Sequence, residues 1–258
     1  MGCESAVPDF QFTLLSIRGL AFLDLRREDA KDNLQEARPN FAPGLFLNHG
    51  NSLEWAATHV NLGMYHARQN SREDLNLAVE HDLAALGFFS RELYPNHWAS
   101  AHNNLGNALR GLAAFEGSSR LDESAEHLLD ALKERPKDKV PELWAPTMIN
   151  LAETYCIQQK NLEAINIIDE VLPVLDQHQL RLQWAMSVML KAEISTRLRG
   201  SSQTAAFRTV VRPLESAIEV LRVFRNPAVV SATETLSVVK AGLLRSGSAL
   251  SPLGSDRP

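Results

Sequence analysis

The sequence predicts an all-α fold, a stacked array of antiparallel helical hairpins, and three observations carry that expectation. First, the four tryptophans, Trp55, Trp98, Trp144 and Trp184, stand 43, 46 and 40 residues apart and open similar runs. Alanine follows every Trp, and Asn stands six residues after it in three copies (Asn61, Asn104, Asn150), then Leu, then a small residue. Self-similarity at a period of about 40 residues is the mark of a repeat architecture. Second, apolar residues recur at helical spacing within each run, as in Trp98, Ala101, Leu105, Ala108, Leu109 and Leu112. Third, strand-type alternation bounded by turn residues is missing throughout.

Residues 1–9 read as a flexible start, and 10–52 as a capping pair of helices with a loop. Phe10 to Leu25 is apolar, Arg26 to Ala37 is charged and amphipathic, and 38–52 is rich in Pro, Gly and Asn. Terminal units of an array drift from the repeat because one face must meet water. Residues 53–200 hold the repeats, which begin near the four tryptophans. Each first helix runs about four turns and meets a polar break, Gly117-Ser118-Ser119 or Gln158-Gln159-Lys160-Asn161. A second amphipathic segment follows, Leu121 to Leu132 in one copy and Leu162 to Leu172 in the next. Pro95, Pro136 and Pro173 fall at or beyond second helices, where proline stops or kinks a helix. Residues 201–245 read as two C-terminal helices, 204–224 entered or kinked near Pro213, then Pro227 to about Leu244. The Ser/Gly/Pro-rich tail 246–258 reads as disordered.

These runs resemble the tetratricopeptide repeat. The third copy fits its spacing best, with Leu151, Ala152, Tyr155, Ala164, Ile168 and Val171 at the family's intervals. The second fits with an inserted loop, through Leu105, Gly106, Leu109, Ser124, Leu128, Ala131 and Pro136. The long period is similar to that of the subclass seen in kinesin light chains and many bacterial regulators. The fourth copy departs, with Leu190 for Asn and Lys191 for Leu. The resemblance implies a right-handed α-solenoid whose first helices line a concave groove. It carries Asn61, Asn104 and Asn150 over as candidates for gripping the backbone of an extended peptide; a side-chain amide both donates and accepts. Asn103 and Asn107 share or border that face. Hydrogen bonding between repeats explains the recurring Asn equally well, so both readings stand. No Lys/Arg clamp accompanies these amides. Met64, Glu153 and Glu193 instead favour a neutral or apolar segment with a basic contact.

Composition narrows the function classes. The 258 residues are 45% hydrophobic and 22% charged, as in globular proteins. The formal charge of -5, split as -10 over residues 1–189 and +5 over 190–258, argues against direct nucleic-acid binding. No apolar run reaches the length of a membrane span. The two cysteines, Cys3 and Cys156, exclude a disulfide framework and point to a reducing, cytoplasmic setting. The start lacks the pattern of a secretory signal. Gly2-Cys3 is the arrangement that dual acylation uses, but Ala6 stands where myristoylation wants Ser or Thr, so an unmodified start is preferred.

No catalytic residues, cofactor or metal site are expected. The eight histidines form no His-Glu-x-x-His run, and His59 and His66, seven apart, need a third ligand from elsewhere to hold an ion. Phosphate-binding glycine loops and the Gly-x-Ser-x-Gly nucleophile turn are absent. Gly63 and Gly106 read as points of close helix approach, Cys156 as inert filler, and each Trp as a plug between repeats. The functional expectation is a non-enzymatic scaffold or adaptor that binds a protein or peptide partner, with self-pairing through exposed end helices as a route to a homodimer. The alternative is a regulator whose solenoid changes curvature when it senses a ligand or peptide.

Overall fold

A computed structural model of the chain describes residues 52–177 and 180–246. The expected capping pair at 10–52, apart from Ser52, and the tail beyond Ser246 lie outside the described residues, as does Cys3. Nine α-helices and no strand occur among the described residues: α1 (Leu53–Gln69), α2 (Arg72–Phe88), α3 (Pro95–Glu116), α4 (Ser119–Leu132), α5 (Pro141–Ile157), α6 (Asn161–Gln177), α7 (Arg181–Arg197), α8 (Gly200–Val223) and α9 (Val229–Arg245). None of these helices is long and apolar enough to cross a membrane. The chain divides into two compact units, Met1–Val140 and Pro141–Pro258.

In the first unit each helix packs on the next, and α1 also packs on α3. Local chemistry sets the boundaries. Ser52 caps α1, its hydroxyl accepting from the Trp55 amide at 3.1 Å. Asn70 ends that helix in the left-handed conformation (φ 55°), which Asn tolerates. Ser71 then caps α2 at once by accepting from the Asp74 amide, which makes a tight hairpin. Pro95 opens α3, where its missing N–H costs nothing. Phe89, from the link between α2 and α3, is buried among Ala56, Ala85 and Ala101, with Trp55 and Trp98 packed on the same cluster. The first two indoles thus serve the junction between hairpins.

Two glycines decide how closely helices approach. A Cβ at Gly63 would stand 2.6 Å from an Asp82 carboxylate oxygen, so α1 meets α2 without a side chain there. A Cβ at Gly106 would come within 2.8 Å of Leu128, and the Ser124 hydroxyl donates to the Gly106 carbonyl at 2.7 Å. This bond locks α3 to α4.

In the second unit α5 to α9 again pack in sequence, with α9 also touching α7. One core cluster gathers Ala152, Cys156, Ala164, Ile168 and Ile194, and another Val188, Phe207, Leu214, Leu221 and Val239. The departures of the fourth repeat acquire a physical reason here. Lys191 takes the position that Leu62, Leu105 and Leu151 fill with buried leucine, and it is itself only 7% exposed. Its ammonium donates to Asp169 of the preceding helix at 2.5 Å, since a charge so far from water needs a partner.

Two sequence expectations need correction. Pro173 does not end its helix, which runs on to Gln177. The helix expected over 204–224 begins earlier, at Gly200, and contains Pro213. Each proline removes one ladder hydrogen bond. The residues on either side still bury apolar side chains (Val171, Val174 and Leu175; Val210, Val211 and Leu214), and that packing keeps the helix going.

Candidate functional site

Helical geometry puts positions three, four and seven apart on one face. The recurring octet therefore presents the same face of α1, α3, α5 and α7 in each copy. All eight sequence candidates are half-buried, neither in the core nor fully in solvent. In the first unit Asn61 and Met64 lie on α1, and Asn103, Asn104 and Asn107 on α3. Asn104 donates to the Val60 carbonyl of α1 in a long hydrogen bond of 3.4 Å, and its oxygen accepts from Asn103 at 3.4 Å. That amide therefore ties one hairpin to the next. The Asn107 oxygen is buried without a hydrogen-bond partner.

In the second unit Asn150 and Glu153 lie on α5 and Glu193 on α7. The two carboxylates surround Cys156, whose thiol is pushed up by burial, drawn down by Arg197, and pushed up again by Glu193 and Glu153. Arg197 also donates to the sulfur at 2.7 Å. A buried, protonated thiol is a poor nucleophile. This unit also holds a cleft of about 430 Å³ lined by Leu175, Arg181, Trp184, Glu219, Val220 and Phe224, among others. Trp184 is thus a cleft wall as well as a packing residue, whereas Trp144 is buried.

Sequence reasoning missed a histidine network in the first unit. Trp55 lies 4.1 Å from His59 between ring centroids, and His59 Nδ1 lies 2.9 Å from His81 Nδ1 across the α1–α2 hairpin. His66 stacks on His81 at 5.5 Å and bonds Asp74 at 2.8 Å. His81 thus packs against both His59 and His66, but among the described residues these three rings do not gather their ligand atoms closely enough for one ion. The second hairpin repeats the device. Trp98 lies 4.2 Å from His102, whose Nδ1 is 2.9 Å from His127 Nδ1 on α4. Burial lowers all four paired imidazoles; His81 and His102 each come down to about 4, with neighbouring imidazoles adding to the effect. At neutral pH these pairs are uncharged, one nitrogen donating to the other. A signal was present in the chain: Trp-x-x-x-His occurs in the first two copies, while Met148 and Val188 stand at that place in the others. The cross-helix partners carried none.

Asp82 is fully buried beside Gly63, and neither carboxylate oxygen has a hydrogen-bond partner. Burial raises its pKa well above the carboxylate range, so the group is held protonated. No family model matches the chain, and a search of curated proteins found no match.

Proposed function

We propose that the chain is a protein–protein interaction module of the tetratricopeptide type, an adaptor that holds an extended partner segment along the first helices of its hairpins. The observation that carries this reading lies in the first unit. There α1 and α3 are neighbours, and Asn61, Met64, Asn103 and Asn107 are all left out of the hydrophobic core. Amides in such a row suit main-chain recognition, in which affinity accumulates from several modest bonds. Asn104 serves the scaffold instead, through Val60. In the second unit, taken by itself, Glu153 and Glu193 would offer a contact for a basic side chain. The partner on this reading is a neutral or apolar segment of a cytoplasmic protein.

The test replaces Asn61, Asn103 and Asn107 together with Ala in the full chain and compares what co-purifies at native expression. Each lost amide bond is worth about 0.5–1.5 kcal/mol, so partner yield is expected to fall tenfold or more on the order-of-magnitude scale of three such bonds. The melting temperature should stay near that of the wild type. Undiminished capture by the triple variant would contradict the reading.

A further inference from the structure

We propose that His102, His127 and Asp130 form a binding site for a divalent first-row transition cation of imidazole preference, with zinc as the reference ion. One ligand atom from each residue lies within 4.8 Å of the others. The His102 and His127 Nδ1 atoms are 2.9 Å apart, and Asp130 Oδ2 is 3.7 Å from His102 Nδ1. With metal–nitrogen bonds of about 2.0–2.1 Å, two nitrogens at this separation subtend about 90° at the ion, and widening them to roughly 3.3 Å gives the tetrahedral angle. Small side-chain rotations cover that range. In forming the site, the cation takes the place of the single proton that the two Nδ1 atoms share; the imidazole that gives up its Nδ1 proton carries one on Nε2 instead, so both rings bind as neutral ligands.

The surroundings hold the three groups in place. Trp98 packs on the His102 ring, and Ser124 binds the Gly106 carbonyl to fix α3 against α4. His127 and Asp130, three residues apart, project from one face of α4. Lys133 takes the other carboxylate oxygen, Oδ1, at 2.5 Å, which leaves Oδ2 directed toward the imidazoles. His102 is nearly buried, while the Asp130 side chain is 31% exposed, so an ion can reach the site and keep water on its open positions. A bound ion would staple α3 to α4.

The first hairpin supplies an internal reference. His59 and His81 make the same 2.9 Å pair, but the residue three beyond His81 is Ala84. His66 stacks on His81 and bonds Asp74 there, but among the described residues only His102, His127 and Asp130 bring three ligand atoms within 4.8 Å of one another.

The test titrates the metal-free full chain with ZnCl2 by calorimetry, and with Co2+ by visible absorption as a readout of nitrogen and oxygen ligation. One equivalent is expected to bind tightly and to raise the melting temperature. Asp130→Ala and His127→Gln, checked for helical content, should each weaken that equivalent by more than the roughly 10–100-fold that loss of an outer-shell partner brings. His81→Gln should bind as the wild type does. Asp130 is partly exposed and lies outside the buried core, so its variant keeps the hairpin packed and decides the matter even if His127→Gln loses helicity. Wild-type affinity in Asp130→Ala, or an equal loss in His81→Gln, would overturn the assignment.

Discussion

Phe89→Ala is expected to destabilise the first unit by about 3–5 kcal/mol, the usual cost of deleting a fully buried ring. Phe89 is 1% exposed, and its ring lies within 5.6 Å of Phe88, 5.5 Å of Tyr94 and 4.8 Å of His97 between centroids. It fills the space among one alanine from each of α1, α2 and α3. Those alanines are too small to close the void, so relaxation recovers little of the loss. Because the ring joins the first hairpin to the second, the variant should also broaden thermal unfolding followed by circular dichroism. A loss below about 1 kcal/mol, within the range of ordinary surface changes, would mean the junction is not built on this residue.

Asp82→Leu should act in the opposite direction. An unpartnered buried polar group costs about 1–3 kcal/mol, and the two δ-carbons of leucine stand roughly where the carboxylate oxygens stand. The sign with pH follows from the raised pKa of Asp82. The folded state keeps a proton that the unfolded chain, near 3.8, gives up. The stability linked to that proton is fully present below 3.8 and is lost as pH rises through the folded pKa. The gain from Asp82→Leu should accordingly be largest at neutral pH and shrink toward pH 4. Asp82→Asn keeps the volume and removes the titration, so it isolates the pH component.

His81 contributes the reverse slope. It is faced by His59 and by His66, which in turn holds Asp74, and it is lowered from 6.5 to about 4. Its stability is present above 6.5 and is lost as pH falls from 6.5 through about 4. In Asp82→Asn the first unit should therefore gain stability as pH rises across that window, as measured by denaturant titrations at fixed pH. A flat profile there would contradict the buried, neutral His81, and a stability of Asp82→Leu below that of the wild type at pH 7 would contradict the burial of an unpartnered carboxyl.

The helical hairpins were legible because the signal is local. Trp-Ala with Asn six residues on, the Gly117-Ser118 break and the polar run at 158–160 all fall where helices start or stop. Gly63 and Gly106 were read correctly as approach points, since a glycine inside a good helix needs a compensating contact. Proline misled at 173, where burial on both sides outweighs one missing hydrogen bond, whereas the helix expected to contain Pro213 does run through it. Lys191 looked like decay of the fourth repeat until Asp169, 22 residues earlier, supplied its partner. The histidine pairs were hidden for the same reason, because His59 meets His81 and His102 meets His127 across 22 and 25 residues. Their local traces were Trp-x-x-x-His in the first two copies and His127-x-x-Asp130, a spacing that places both side chains on one helical face.

The role of the first helices is tested most directly by placing a photo-crosslinking residue at Asn61 or Asn103 in the full chain, and in parallel at the exposed Glu80 of α2 or Glu126 of α4. After irradiation in cells at native expression, a discrete crosslinked partner is expected from positions 61 and 103 and not from 80 and 126. Crosslinks confined to 80 and 126 would place recognition on the second helices and contradict the account.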